Sequence, residues 1–177
     1  TSRQFSHFTY NCRMLNKVQS DAIEFVRAHA KARKPSAIAT LEHILKMSDI
    51  SRSYFNEVVR LLKSNARVAF HFHPDRLDPN MKTVAEALLE GGLYKSQFET
   101  LLSSGSVSAH PGGERDLWEK KIFGGAYHQD NSIHASQRPK YGSLDLMGHP
   151  DGPSPRFGSC YFLLKPEVTQ RCTFTYL

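Results

Sequence analysis

Hydrophobic periodicity changes at Arg67, and that change limits the possible folds more than any other feature of the chain. Before it, apolar residues recur at three- and four-residue steps, the spacing of one helical face. Val18, Ala22, Phe25, Val26 and His29 mark a first helix, which Pro35 stops. Ser36 caps a second helix carrying Ile38, Leu41, Ile44 and Leu45, and Ser48 or Asp49 caps a third with Ile50, Tyr54, Val58, Leu61 and Leu62. From Arg67 to His73 the residues alternate and are rich in β-formers, which predicts a strand ending at Pro74.

Past that strand, Thr83 is an N-cap for a helix over Val84 to Glu90 that Gly91-Gly92 ends. A further amphipathic segment, Leu93 to Leu102, carries Tyr94, Phe98, Leu101 and Leu102. Turn residues then multiply. Ser106 to Ala109 reads as a short strand, Pro111-Gly112-Gly113 as a turn, and Asp116 to Phe123 as a short helix. Three more strands are expected over Tyr141 to Met147, Ser159 to Leu164 and Arg171 to Tyr176, the first two separated by a Gly- and Pro-dense loop from Gly148 to Pro155. Helices first and strands later point to an α+β protein, with a helical N-terminal subdomain over residues 1–65 and a strand-bearing core over residues 66–177.

A chain of 177 residues can bury a core of its own and fits one domain. No apolar run reaches the roughly eighteen residues of a membrane span. The N-terminus lacks a basic-then-apolar signal and begins without Met, so the chain is expected to start inside a longer reading frame. The three cysteines, Cys12, Cys160 and Cys172, are odd in number and unpaired in spacing, which argues against a disulfide framework and suits a reducing compartment. Cys160 and Cys172 read as small buried hydrophobes. A net charge of +6 favours contact with anions, among them a phosphorylated cofactor. The densest basic run, Arg27 to Lys34, sits at a helix end, where the dipole alone accounts for it, so nucleic acid is not expected as a partner.

Several groupings carry chemistry. His71 and His73 lie two apart on a strand and share a face; with Asp75 they have the spacing of metal ligands, although packing and hydrogen bonding explain two histidines equally simply. His110, His128, His134 and His149 lie in loop-like stretches without ligand spacing. Asp75 and Arg76 follow the strand end, where an Arg makes bidentate contact with phosphate, the bland alternative being a surface ion pair. Tyr141-Gly142-Ser143 and Phe157-Gly158-Ser159-Cys160-Tyr161-Phe162 are aromatic-Gly-Ser entries into strands. In each, Gly lets the backbone approach a ligand, and Tyr offers a face for stacking. Glu119 stands beside Trp118, the single Trp, an arrangement in which loss of water raises an acid's pKa, although a short surface helix anchored by Trp118 explains the pair equally simply. The chain has no Gly-rich dinucleotide fingerprint, phosphate loop or nucleophile elbow, so any NAD must bind outside the doubly wound fold.

The strings Phe72-His73-Pro74-Asp75-Arg76, Ser96-Gln97-Phe98-Glu99, Gly112 to Glu119, Phe123 to Tyr127, Arg138 to Gly142 and Gly152 to Phe162 resemble a bacterial family long labelled a domain of unknown function. The likeness runs from about Val68 to Tyr176. That family is associated with divergent ADP-ribosyltransferases, including effectors that a Legionella-type pathogen delivers into host cells. The resemblance implies a split, mostly antiparallel core of ADP-ribosyltransferase type, NAD as substrate without a metal, and a target protein as acceptor. It also implies a soluble protein of the bacterial cytoplasm or one secreted by a non-Sec route. It casts His73 and the Phe157 to Phe162 entry as the NAD-binding strands, with Tyr161 stacking on nicotinamide. Arginine-specific relatives use a first-strand Arg and a second-strand Ser, roles for Arg76 and Ser159. Asp75, Tyr141, Gly142, Phe157 and Gly158 complete the cofactor set.

Both branches need a Glu against the ribose, because positive charge develops on the sugar as nicotinamide leaves. After Tyr161 the chain offers Glu167 alone, so the acid is expected either beyond Leu177 or upstream at Glu119. The expected activity is mono-ADP-ribosyl transfer to a protein side chain, Arg among the candidates. A metal-dependent hydrolase on His71, His73 and Asp75 and a non-catalytic interaction module are the alternatives. Under the leading reading, His71 becomes structural.

Overall fold

A computed structural model describes residues 15–102, 109–129 and 133–175. The chain opens with one long helix, α1 (Lys17–Met47), entered through a capping box in which Asn16 and Gln19 bond each other's backbone amides. α1 runs straight through Pro35 to a C-cap at Ser48, so the expected break and the second helix beginning at Ser36 do not occur. Proline costs a helix one hydrogen bond and some crowding, which this helix accommodates in a stretch exposed on every side. The chain turns at Asp49, in the left-handed region, and α2 (Arg52–Asn65) starts from Ser51, not from Ser48 or Asp49. Arg52 reaches back to Glu42 of α1 in an exposed ion pair.

β1 (Arg67–Phe72) follows without a linker and becomes the central strand of a three-stranded antiparallel sheet in the order β2-β1-β3. β2 (Ser143–Asp145) pairs with its first half, Ala69 opposite Ser143, and β3 (Cys160–Leu163) with its second half, Phe72 opposite Cys160. Both outer strands are shorter than their sequence patterns. β3 ends where the Arg67 guanidinium takes the carbonyls of Leu163 and Leu164, at 3.0 and 2.7 Å. The strand expected from Arg171 is absent over the described residues; a 3-10 segment, Pro166–Arg171, occupies the approach and packs on β1. Proline at its first position, with φ already set for a helical turn, favours that outcome. Residues 106–108 of the expected strand at Ser106, and Cys12, lie outside the described residues.

Between β1 and β2 lie α3 (Val84–Gly91), α4 (Gln97–Thr100) and α5 (Glu114–Ile122). Thr83 and Ser96 begin the first two with capping boxes to Glu86 and Glu99. Within the amphipathic segment from Leu93 to Leu102 only the single turn of α4 is helical, and it closes at a left-handed Leu101. Two cores result. The first half of α1 packs against the end of α5, with Ala22, Phe123, Ala126 and Tyr127 buried and Val18, Val26 and Ile122 around them. On the sheet, Phe72 stacks on Phe162 at 4.9 Å, and Tyr94 meets Phe70 at 4.9 Å and Phe162 edge-on at 6.3 Å. The architecture is α+β.

Candidate functional site

The residues after β1 are held, not loose. The Pro74 and Arg76 carbonyls accept the amides of Ala85 and Val84, at 2.9 Å each, which fastens the His73 to Arg76 segment to the start of α3. Asp78 Oδ1 then accepts the amides of Asn80 and Lys82, closing the turn that leads into α3. His73 is half-buried, Asp75 and Arg76 are exposed, and the three line one shallow, open depression.

The entry into β3 lies directly against this strand end. Gly158 is buried with φ +148°, and a Cβ there would sit 2.1 Å from the Phe72 carbonyl carbon. Only glycine permits that approach. Phe157, in the 3-10 turn Pro155–Phe157, has Arg156 over its ring at 4.5 Å; Ser159 is exposed. Tyr161 is opposite His71 in the β1–β3 register, their rings stacked at 5.2 Å, and its hydroxyl donates to the Pro150 carbonyl at 3.3 Å. The Phe72–Arg76 and Phe157–Tyr161 strings, far apart in sequence, therefore share one end of the sheet.

His71 itself is buried, its Nδ1 2.9 Å from the Gly158 carbonyl and its Nε2 accepting the Ser154 amide at 3.1 Å. Both ring nitrogens are engaged within the chain, so the ligand set of His71, His73 and Asp75 does not assemble. His73 also lies one residue past the end of β1. Among the described residues no group of three His, Cys, Asp or Glu side chains stands close enough to hold a metal. The structural role expected of His71 has a concrete form: it joins β1 to the loop before β3.

Glu119 and Tyr141 belong to a different place. Glu119 is wholly buried, its Oε2 2.9 Å from Arg138 Nη1 and its Oε1 accepting the Tyr141 hydroxyl at 2.5 Å. Arg138 also pairs with buried Asp116 at 2.7 Å, and His128 Nε2 lies 2.8 Å from the same Asp116 oxygen. The guanidinium of Arg138 lies over Phe98 at 4.4 Å and that of Arg115 over Tyr141 at 5.0 Å. Burial lifts the Glu119 carboxyl above the usual carboxylate range, against the pull of Tyr141 and Arg138. Burial together with the Glu119 charge pushes the Tyr141 hydroxyl far up and that of Tyr127 up to about 12. Burial also works against the Asp116 charge, but the Gly112 amide, Arg138 and His128 outweigh it and hold the carboxyl low.

This cluster ties α5 to the segment leading into β2. Its members Asp116, His128 and Arg138 carry no mark in the sequence as a group, because ion pairs across loops leave no periodic signal. Gly142 sits against β1, where a Cβ would come within 2.6 Å of the Ala69 carbonyl oxygen. Its close backbone approach is thus to the chain's own strand.

Residues 67–177 match the family described as Protein of unknown function (DUF3626). The chain belongs to that family. The match opens at Arg67, the first residue of β1, and takes in the sheet, the depression at its end and the buried Glu119–Arg138 cluster, while α1 and α2 precede it. Comparison with curated proteins and with solved structures gives no match. Among the described residues no helix is long and apolar enough to cross a membrane.

Proposed function

We propose that this DUF3626 domain is a mono-ADP-ribosyltransferase acting at the end of the β1–β3 pair. The observation that carries the reading is that the depression lined by His73, Asp75 and Arg76 follows directly on the strand end where Phe72 pairs with Cys160 and Gly158 packs against Phe72. NAD needs a cation for its pyrophosphate and a flat face for nicotinamide, and Arg76 and Tyr161 are of those kinds. In the reaction the bond between the ribose anomeric carbon and the nicotinamide nitrogen breaks, its electrons leaving with nicotinamide. The acceptor side chain bonds to that carbon and gives up a proton.

The charge developing on the sugar requires a carboxylate nearby. Glu119 does not meet this need in its present geometry, since it is buried and both its oxygens are taken. Asp75 in the depression is then assigned the ribose contact. NAD labelled in its adenylate half, incubated with the full chain and a panel of acceptor proteins, tests the proposal. Label transfer or nicotinamide release is expected, and the absence of both removes the reading.

A second reading, a non-catalytic interaction module, draws on the exposed apolar residues of the helical pair: Ile44, Met47 and Tyr54 are each more than half exposed. It predicts that His73→Ala and Arg76→Ala leave the protein's cellular effect intact, whereas the transferase reading predicts its loss.

A further inference from the structure

The family match begins at Arg67, so α1 and α2 stand before the matched domain, and much of their surface is bare. The start of α1 packs on Phe123 and Tyr127, but every residue from 27 to 40 is exposed. α2 buries no residue. Between the two helices residues 46–51 are all exposed, and four large apolar side chains flank or occupy this turn. Ile44 and Met47 lie on the α1 side, Ile50 in the turn and Tyr54 on the α2 side, with Met47 73% and Tyr54 64% exposed. The same stretch holds nearly all of the chain's excess charge. Residues 27–63 carry eight Lys and Arg against three Asp and Glu, a balance of +5 in a chain of +6. Two of those acids are already taken, Glu42 by Arg52 and Glu57 by Arg60, which leaves Asp49 at the turn. Lys31, Arg33, Lys34, Lys46 and Lys63 form no ion pair among the described residues. Because α1 continues to Met47, Lys31, Arg33 and Lys34 lie in mid-helix, where the helix dipole no longer accounts for them.

We propose that the α1–α2 pair is a peripheral docking surface for an anionic lipid membrane, its apolar turn entering the headgroup layer and its lysines facing the lipid charges. Helices that carry exposed apolar side chains together with Lys and Arg are suited to that boundary, where a hydrocarbon edge and negative charge lie side by side. Tyr54 suits it too, since its ring can sit among acyl chains while its hydroxyl stays wet. An exposed turn favours lipid over a protein partner, because lipids flow around a protruding side chain and a protein must supply a matching cup. A second copy of the chain is a poorer occupant, since it would bring two arms of net positive charge together. The contact needs no spanning helix, and it weakens as salt screens the charges. It would hold the matched domain beside the membrane, and it gives the exposed apolar surface of the second reading above an occupant.

Flotation of the full chain with vesicles, in the absence of NAD, tests the docking surface separately from the transferase reading. Binding is expected to phosphatidylcholine vesicles containing about one-third phosphatidylserine, and not to phosphatidylcholine alone. Raising the salt from about 0.1 M to about 0.5 M should weaken it by about tenfold or more. Met47→Asp combined with Tyr54→Asp, and separately Lys31→Glu combined with Lys34→Glu, should each lower the partition coefficient by about tenfold or more. All four side chains are exposed, so both variants should keep the fold, which far-UV circular dichroism checks. Leu89→Asp, at an apolar residue of α3 that is 86% exposed, is the control and should bind like the wild type. Equal binding to the two vesicle types, binding to neither, or arm variants that bind like the wild type would each overturn the proposal. So would a dimer in vesicle-free solution that the Met47 and Tyr54 substitutions dissociate, because the surface would then belong to a second copy.

Discussion

Glu119 and Arg138 form an ion pair inside the protein: Arg138 Nη1 lies 2.9 Å from Glu119 Oε2, with the acid fully buried and a tenth of the Arg138 side chain exposed. The pair bridges α5 and the segment that enters β2, and Tyr141 donates to the other Glu119 oxygen. Removing one partner of such a pair leaves the buried charges less well compensated, Arg138 keeping only Asp116 when Glu119 is lost, at a cost of up to about 3–5 kcal/mol. Glu119→Ala and Arg138→Ala should each lower the free energy of unfolding by about that much. The double variant should lose less than the sum, because both changes remove the same Glu119–Arg138 interaction. Urea titrations followed by fluorescence of Trp118 measure all three. A Glu119→Ala change of under about 0.5 kcal/mol would mean the pair is not a keystone of the fold.

Asp116 and Glu119 should drive stability in opposite directions with pH. Asp116 is held below its ordinary pKa of about 3.9, so the folded protein binds that proton less readily than the unfolded chain. Its contribution is present above about pH 4 and is lost as pH falls through the lower folded value. Glu119 is held above its ordinary value of about 4.3 by burial, so its contribution is full below about pH 4 and declines as pH rises through the folded value. Asp116→Asn should therefore flatten the acid limb of stability against pH, and Glu119→Gln the limb above it. Unfolding free energies measured from about pH 3 to about pH 8 decide the matter, and a steeper acid limb in Asp116→Asn would reverse the sign of the Asp116 contribution.

Pro35 offers a test of α1. The helix continues from Lys17 to Met47 across a residue that lacks an amide hydrogen, and every residue from Lys31 to Thr40 is exposed. Proline inside a helix costs about 3 kcal/mol relative to alanine, part of which it returns by restricting the unfolded chain. With no packing to lose, Pro35→Ala should stabilise the helix by about 1–2 kcal/mol. Thermal unfolding followed by far-UV circular dichroism gives the answer. A destabilised variant would show that the helix needs its proline.

Pro35 also marks the limit of what the sequence discloses. A helical stripe, a cap or an alternating strand is written in neighbouring residues, so α2, β1 and α3 are legible within a few positions. Whether a proline ends a helix or is carried inside it is not written in the residues beside it, and here the helix continues through an exposed stretch. The same holds for the site. Glycine before a strand signals close approach, but Gly142 approaches Ala69 and Gly158 approaches Phe72, so both serve the sheet itself. Glu119 stands out in the sequence as an acid beside Trp118, yet its partners Arg138 and Tyr141 arrive across intervening loops. Nothing in local spacing distinguishes a buried keystone from a substrate-facing carboxylate.

Gly158 should be the least replaceable glycine among the described residues. Its φ of +148° lies where side chains are strained, and the Phe72 carbonyl carbon occupies the place of a Cβ at 2.1 Å. Gly158→Ala must push β3 from β1, costing about 3 kcal/mol or more from strain and overpacking together. Gly148, with φ +59° and open space around it, provides the control: Gly148→Ala should cost about 1–2 kcal/mol, the penalty for a left-handed residue. Equal losses in the two variants, read from denaturant midpoints, would remove the close approach of β3 to β1 as the cause.

Tyr161 separates a binding role from a structural one. Its ring already stacks on His71 at 5.2 Å and its hydroxyl makes one long bond, 3.3 Å, to the Pro150 carbonyl. If nicotinamide stacks against this ring, the flat face matters and the hydroxyl matters little. Tyr161→Phe should then keep NAD cleavage within about threefold of wild type, consistent with loss of one weak hydrogen bond. Tyr161→Leu keeps apolar bulk beside His71 but removes the aromatic face, and should raise the KM for NAD by about tenfold to hundredfold, the worth of one ring stack. A structural role predicts the reverse signature: a lowered Tm in Tyr161→Leu with KM unchanged for the fraction that remains folded.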